Sequence, residues 1–227
     1  MGFDAGREAA AVAAGFPTYT AAEAAADRFI HLLGVPAAIV SACWLVARVS
    51  PAASAKLTFT LLVYSFGLIG MLAVSAAYNL SSPSRVKERL RRADHAMIFV
   101  MIAGSYTPFA LNVLPRGEGL LLCAAVWFLA AVGIDAKLLF PRRLERVSLV
   151  LYLGMGWIAL SMIGSFVALL PREVLWLLLL GGIAYSLGAL LHSLRRVPFH
   201  NAAWHALVLV GAGLHLAAMA AQFARPA

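Results

Sequence analysis

The chain has 227 residues, of which 63% are hydrophobic and only 12% are charged, and its mean hydropathy is +0.87. A water-soluble domain could not bury that much apolar surface, so the composition excludes an ordinary soluble enzyme and indicates a membrane protein. The net charge of +8 is concentrated in short connectors between apolar runs. We therefore expect no nucleic-acid partner and interpret the basic residues as a signal of membrane topology.

The chain divides into three parts of very different length. Residues 1–19 form a predicted flexible arm, residues 20–222 a membrane domain, and residues 223–227 a short tail. Thr20 and Glu23 have the spacing of a capping box, so the first helix is expected to begin about two turns before it enters the membrane. The composition and lengths leave no room for a separate soluble domain.

Seven apolar runs are long enough to cross the roughly 30 Å hydrocarbon layer as helices of about 20 residues. Short connectors punctuated by proline join them, as expected for antiparallel neighbours. The sequence therefore predicts an all-α bundle of seven transmembrane helices. The runs are Phe29 to Ala47, Leu57 to Asn79, His95 to Val113, Gly119 to Ala136, Val147 to Leu170, Val174 to His192 and Asn201 to Gln222.

The distribution of lysine and arginine predicts the orientation of this bundle. Thirteen of these residues lie in one alternate set of connectors and termini, and five lie in the other. Basic residues are retained in the cytoplasm during insertion, so we expect the N-terminus inside and the C-terminus outside. This orientation is opposite to that of G-protein-coupled receptors.

Several residues inside the apolar runs are interpreted as packing residues. Cys43 and Cys123 lie in different runs without metal-ligand spacing, so we expect neither a disulfide nor a thiolate metal site. Glycines such as Gly133 and Gly181 are expected to let helices approach closely. His215 lies about 15 Å beyond His205 along a helix, where a neutral, hydrogen-bonded histidine inside the bundle is expected.

Five polar residues are predicted to converge at the inner end of the bundle, on the second, third and seventh spans. Each of these could instead cap a helix or contact interfacial water, and Asp94 in particular could be an N-cap. His31 and His192 are predicted at a similar depth. The five converging residues are Ser75, Asn79, Asp94, Asn201 and His205.

A family resemblance is carried by the third span. Asp94-His95, followed by Ile102-Ala103-Gly104-Ser105-Tyr106-Thr107-Pro108-Phe109, resembles the D-H and I-A-G-T-Y-T-P-F signature of the haemolysin III family, the bacterial branch of the progestin and adiponectin receptor superfamily. The resemblance extends from about Thr20 to Met219. It implies a multi-pass protein of the bacterial inner membrane, with membrane lipids as its partners.

The resemblance also implies a zinc site at the cytoplasmic ends of the second, third and seventh spans. Ser75 and Asp94 match its serine and aspartate and would be the catalytic residues, whereas Asn79, Asn201 and His205 stand at the three ligand positions. Only His205 keeps the family's imidazole. A carboxamide is a weak donor to zinc, so we expect no cofactor unless the altered site still binds the ion.

The sequence leaves two alternatives open: another histidine could replace a lost zinc ligand, or the site could hold no metal. His200 and His95 are expected to point away, because one residue turns a helix by about 100°. His31 could replace a lost ligand only if the first helix packs unusually close. Without a metal, the amides of Asn79 and Asn201 could form a closed hydrogen-bond network with one another, His205 and Asp94.

Three functions follow from these expectations. The first is non-catalytic lipid binding or membrane homeostasis by a protein with a degenerate zinc site. The second is a metal-dependent, ceramidase-like lipid amide hydrolase in which Ser75, Asp94 and His205 remain functional. The third, a cytolytic or pore activity, rests on the family name alone.

Overall fold

The computed structural model describes residues 15–49, 53–140, 145–194 and 196–224, and these ranges contain helices and turns but no strand. The predicted all-α class is confirmed. Most of the predicted arm and the last three residues of the predicted tail lie outside the described ranges. The helices are α1 (Ala21–Val49), α2 (Ala55–Leu80), α3 (Arg85–Asn112), α4 (Arg116–Leu139), α5 (Glu145–Gly156), a 3₁₀ segment (Ile158–Met162), α6 (Ile163–Leu169), α7 (Arg172–Ser193) and α8 (His200–Phe223).

Six helical segments in the described ranges are long and apolar enough to cross a membrane. They are α1, α2, α4, the segment Val147–Leu169 that joins α5 to α6, α7 and α8. Large apolar side chains on their outer faces are exposed, among them Phe29, Phe66 and Phe128, as expected where lipid replaces water as the surrounding solvent. The third predicted span lies within α3, which carries more polar residues and is not one of the six.

Helix packing brings the first and last spans together. The most extensive contacts are between α7 and α8, α2 and α3, and α3 and α4, while α1 packs against both α2 and α8. The polar helix α3 therefore lies between two apolar neighbours. The contact between α1 and α8 is the one that shapes the candidate site, because it joins residues from opposite ends of the chain.

Helices α1, α2 and α3 begin where a side chain satisfies a free backbone N–H group. The predicted capping box is confirmed: the Thr20 N–H donates to Glu23 Oε2 at 2.9 Å, and the Glu23 N–H donates to Thr20 Oγ1 at 3.3 Å. Ser84 caps α3 by accepting from the N–H of Lys87 at 3.1 Å. This cap starts α3 at Arg85, so the predicted start at His95 marked a change in polarity and not the start of the helix.

A long-range contact fixes the start of α8 against the start of α1. The second oxygen of Glu23, Oε1, accepts a hydrogen bond from the N–H of Phe199 at 2.9 Å. Phe199 has a left-handed backbone with φ 59°, which costs a residue other than glycine roughly 1–2 kcal/mol. The bond to Glu23 stabilises this turn, after which α8 begins at His200.

The fifth predicted span is interrupted. Helix α5 ends at Gly156, and the chain passes through the 3₁₀ segment before α6 begins. The hydroxyl of Tyr106 donates to the Gly156 carbonyl at 2.6 Å and accepts from the Ala159 N–H at 3.4 Å. Because unpaired backbone groups are costly at membrane depth, this tyrosine of α3 stabilises the interruption.

Close packing inside the bundle relies on two of the predicted glycines. A methyl group on Gly133 would collide with the ring of Phe99, and one on Gly181 would collide with the ring of His215. The Nε2 atom of His215 lies 3.3 Å from the Leu178 carbonyl oxygen, which is the hydrogen-bonded arrangement that the sequence predicted.

A buried arginine joins α3 to α5. Arg91 is 6% exposed, and its guanidinium nitrogens lie 3.2 Å from Glu88 Oε1 and 3.3 Å from Glu145 Oε1. Its neighbour Arg92 is more exposed and lies 3.7 Å from Glu88. Arg91 therefore holds the start of α5 against the basic first turns of α3.

Candidate polar and metal-binding site

Three buried side chains of α1 and α8 form a compact polar cluster. Asp27 and His31 lie one turn apart on α1, and His205 lies in the second turn of α8. Their exposed fractions are 8%, 4% and 8%. One potential ligand atom from each residue lies within 4.8 Å of the other two. We call these three residues the Asp-His-His cluster.

The carboxylate of Asp27 is the centre of this cluster. Its Oδ1 lies 2.5 Å from His205 Nδ1, and its Oδ2 lies 3.5 Å from His31 Nε2. The second distance is too long for a good hydrogen bond, and His31 Nε2 has no hydrogen-bond partner elsewhere in the described chain. The two imidazole rings are 4.5 Å apart between centroids.

Two sequence-predicted residues lie next to the Asp-His-His cluster. Asp94, near the start of the apolar part of α3, lies close enough to Ser75, His205 and His31 for these side chains to influence its charge. Ser75 is 7% exposed on α2. The structure thus brings Ser75, Asp94 and His205 to the same end of the bundle.

The two asparagines make different contacts from those that a closed amide network would need. Asn79 Nδ2 donates to the Ser75 carbonyl at 3.0 Å and lies 3.4 Å from Ser75 Oγ. Asn201 is 7% exposed, and its Nδ2 has no hydrogen-bond partner among the described residues. Within the described ranges no hydrogen bond joins either amide to His205, whose close partner is Asp27.

The other histidines lie outside the Asp-His-His cluster. The ring of His192 packs against Trp204 with 5.4 Å between centroids. His200 Nδ1 lies 3.0 Å from the Val197 carbonyl oxygen. His31 alone meets the condition set for a substitute ligand, because α1 packs directly against α8.

Sequence reasoning missed Asp27. Its local signal was its position four residues before His31, which places both side chains on one face of a helix. Local spacing did not reveal that His205, 178 residues later, completes the cluster. That information comes from the packing of α1 against α8.

A cavity of about 250 Å³ opens from the Asp-His-His cluster into the bundle. Its walls come from α1, α2, α3, α5 to α8 and the 3₁₀ segment, and most of the side chains are apolar. The polar residues at one end are His31, Ser75, Asp94 and His205. The cavity continues past the helix interruption to His215, about 15 Å further along α8.

A smaller polar pocket of about 110 Å³ lies on the other side of Asp27. Its walls include Asn79, Tyr78 and Lys87. Lys87 Nζ donates to the Ser81 carbonyl at 2.7 Å and lies 5.2 Å from the centre of the Tyr78 ring. Burial lowers the pKa of the Lys87 ammonium, and the Asp27 carboxylate opposes that shift. Asp27 therefore lines this pocket, while its partners His31 and His205 line the cavity.

Comparison with known proteins identifies the family. A family model described as Haemolysin-III related matches residues 22–216. The chain belongs to the haemolysin III family. The Hemolysin-3 homolog of Bacillus subtilis (strain 168) is 33% identical to it over 193 residues, which cover 85% of this chain and 91% of that protein. Hemolysin-3 of Bacillus cereus is 33% identical over 183 residues, covering 81% and 82%. No solved structure matches the chain.

As a haemolysin III protein, the chain is a multi-pass membrane protein, and its donor set can be compared with the zinc that the resemblance implied. The amides of Asn79 and Asn201 fit that ion poorly. The Asp-His-His cluster fits it better, because two imidazoles and one carboxylate are a donor set used by zinc enzymes. When bound, zinc would polarise a carbonyl group or lower the pKa of a water molecule.

Proposed function

We propose that this haemolysin III protein binds a membrane lipid with one acyl chain in the cavity and the polar head at the Asp-His-His cluster. The observation that carries the proposal is the shape of the cavity, which has apolar walls and four polar side chains at one end. Binding sites for small molecules combine apolar walls with a few placed polar groups in this way. Lipid binding was the first of the functions considered from the sequence.

The polar end of the cavity suits a neutral, hydrogen-bonding head group such as an amide or a hydroxyl. The carboxylates accept hydrogen bonds, and the Ser75 hydroxyl and the histidine rings can both donate and accept. An amide or hydroxyl head group can both donate and accept hydrogen bonds, so it can pair with the carboxylates as well as with Ser75 and the histidine rings. A hydrocarbon chain would follow the cavity past the helix interruption, where most of the lining side chains are apolar.

Two tryptophan substitutions on α7 test lipid binding. Leu178 lies in the cavity wall, whereas Leu180 is 47% exposed on the outside of the bundle. We expect Leu178→Trp to weaken the binding of a fluorescent N-acyl lipid to the detergent-purified protein at least tenfold, because the indole fills the cavity. The same substitution at Leu180 should leave the affinity unchanged. Equal affinities in both variants and the wild type would contradict binding in the cavity.

A metal-dependent lipid amide hydrolase is the second candidate function. It is favoured by the position of Asp94 and Ser75, which lie beside the Asp-His-His cluster where a lipid head would bind. Asp94 can orient and accept a proton from a water molecule, and Ser75 can hold the Asp94 carboxylate in position. Asp94→Asn should then lower kcat for release of a fatty acid from a ceramide at least 100-fold while lipid affinity is retained. If the wild type releases none, the lipid-binding function alone remains.

The same proposal includes seven crossings of the bacterial inner membrane with the N-terminus inside. Support comes from α3, whose 28 residues are long enough to cross, and from its position between α2 and α4, two apolar spans. Its connections to both neighbours are only a few residues long. Most of its charged residues precede the apolar run that begins at His95, so the crossing part of the helix need not place them in lipid.

A further inference from the structure

We infer that the Asp-His-His cluster is a zinc site whose ligands are Asp27, His31 and His205. This set differs from the positions implied by the family resemblance, because two of its three ligands come from α1 and none comes from α2. All three donors belong to the protein, so zinc binding can be measured on lipid-free protein, and its failure is distinguishable from a failure of lipid binding.

Burial and charge at the cluster favour a cation. Asp27 is 8% exposed, so its carboxylate lies away from water, and the carboxylate of Asp94 lines the same end of the cavity as His31 and His205. A buried charge needs compensation. The Lys87 ammonium supplies part of it from the far side of Asp27. A divalent cation held by Asp27 and the two imidazoles would supply the rest.

A ring nitrogen of His31 that has no hydrogen-bond partner also supports a cation at the cluster. His31 is 4% exposed, yet its Nε2 has no hydrogen-bond partner in the described ranges and lies 3.5 Å from Asp27 Oδ2. Buried polar atoms of this kind are rare unless a water molecule or an ion completes them. A shared cation would satisfy the Nε2 lone pair and the carboxylate together.

The distances suit zinc after a small adjustment. In a tetrahedral site with bonds of about 2.0–2.1 Å, neighbouring ligand atoms are roughly 3.3 Å apart. The separation of 3.5 Å between His31 Nε2 and Asp27 Oδ2 is already close to this value, whereas the 2.5 Å contact between Asp27 and His205 would have to lengthen. Rotation of the carboxylate would lengthen it, and the ligand atoms of the two histidines are already within 4.8 Å of each other. Three protein ligands leave a fourth position beside the cavity.

The family-equivalent asparagines are weaker donors to zinc than imidazoles. A carboxamide can bind the ion only through its oxygen, which is a hard and neutral ligand, and the hydrogen bond that the structure gives Asn79 Nδ2 ties its side chain back to the Ser75 carbonyl. The loss of imidazoles at these two positions is therefore balanced by Asp27 and His31. His205 is the ligand position that both sets share.

Metal analysis of the detergent-purified full chain tests the inference. We expect about one equivalent of zinc in the wild type, and Co²⁺ substituted for zinc should give the visible absorption of a tetrahedral site. Asp27→Asn and His31→Gln should each weaken zinc binding at least tenfold. His200→Gln, a histidine outside the cluster, is the matched control and should retain the ion. Size-exclusion profiles and helical circular dichroism check that each variant is folded.

Two further variants distinguish the ligand sets. Asn79→Ala and Asn201→Ala should retain zinc, so loss of zinc from these variants together with retention in His31→Gln would overturn the inference. Wild-type protein that contains no zinc and takes up none when micromolar zinc is added would overturn it as well. X-ray absorption spectroscopy of the zinc-loaded wild type needs no variant. The spectrum should show zinc bound by two imidazoles, with oxygen atoms as its other ligands. A zinc ion bound by one imidazole or by three would contradict the assignment.

Discussion

Arg91 shows how a single charged side chain can join two helices of this bundle. Its guanidinium is buried, but its partners Glu88 and Glu145 are partly exposed, so solvent weakens the two ion pairs. Hydrogen bonds to charged groups contribute more than neutral ones, while exposed pairs contribute little. We therefore expect Arg91 to stabilise the protein less than a fully buried charged hydrogen bond would, and more than an exposed ion pair would.

Arg91→Met should therefore lower the free energy of unfolding by about 1–2 kcal/mol. The measurement is the thermal or denaturant midpoint of the purified protein in detergent. Arg92→Met is the control, because Arg92 is 38% exposed with one ion pair at 3.7 Å, and it should cost about 0.5 kcal/mol or less. Equal losses in the two variants would show that Arg91 does not join α3 to α5 as described.

The candidate site could be predicted in part because its local signals are strong. Ser75, Asp94 and His205 were selected from their positions at the polar ends of apolar runs, and the structure brings them to one end of the cavity. Asp27 was missed because its importance depends on its contact with α8. Spacing along one helix can suggest that Asp27 and His31 share a face, but it cannot say which helix that face contacts.

At the scale of helices, the interruption between α5 and α6 has no strong sequence signal. The apolar run from Val147 to Leu170 contains no proline, and it predicted one continuous span. The interruption depends on Tyr106, which lies 50 residues before Gly156 and pairs with its carbonyl. A sequence pattern within the run could not indicate a partner on another helix.

Tyr106→Phe should destabilise the protein by about 1–2 kcal/mol, because the Gly156 carbonyl and the Ala159 N–H lose their common partner in an apolar setting. Tyr64→Phe is the matched control. Tyr64 is fully buried, and its hydroxyl has no hydrogen-bond partner in the described chain, so its removal should leave the thermal midpoint unchanged or raise it. If Tyr106→Phe leaves the thermal midpoint unchanged, the Tyr106 hydroxyl does not stabilise the interruption.

At the scale of the whole molecule, composition alone indicated an apolar helical bundle in the membrane, and six of the predicted spans reappear as apolar helices. Boundaries were less predictable, since Ser84 starts α3 ten residues before its apolar run and Phe199 sets the start of α8 through a distant carboxylate. The number of crossings remains a prediction because α3 is polar.

Whether the chain crosses the membrane six or seven times can be measured directly. With seven spans the two termini lie on opposite sides of the membrane, and with six they lie on the same side. We expect a reporter that is active only in the cytoplasm to be active when fused after Ser82 and inactive when fused after Pro115, because α3 crosses between them. Activity of both fusions would contradict a crossing by α3. It would indicate six spans with both termini in the cytoplasm.

Asp27 belongs to the wall of the small polar pocket, and its partners His31 and His205 belong to the wall of the large apolar one. A hydrophilic solute in the small pocket would thus touch the carboxylate, while an acyl chain in the cavity would end against the imidazoles. Substitutions in the wall of one pocket should therefore spare the occupant of the other.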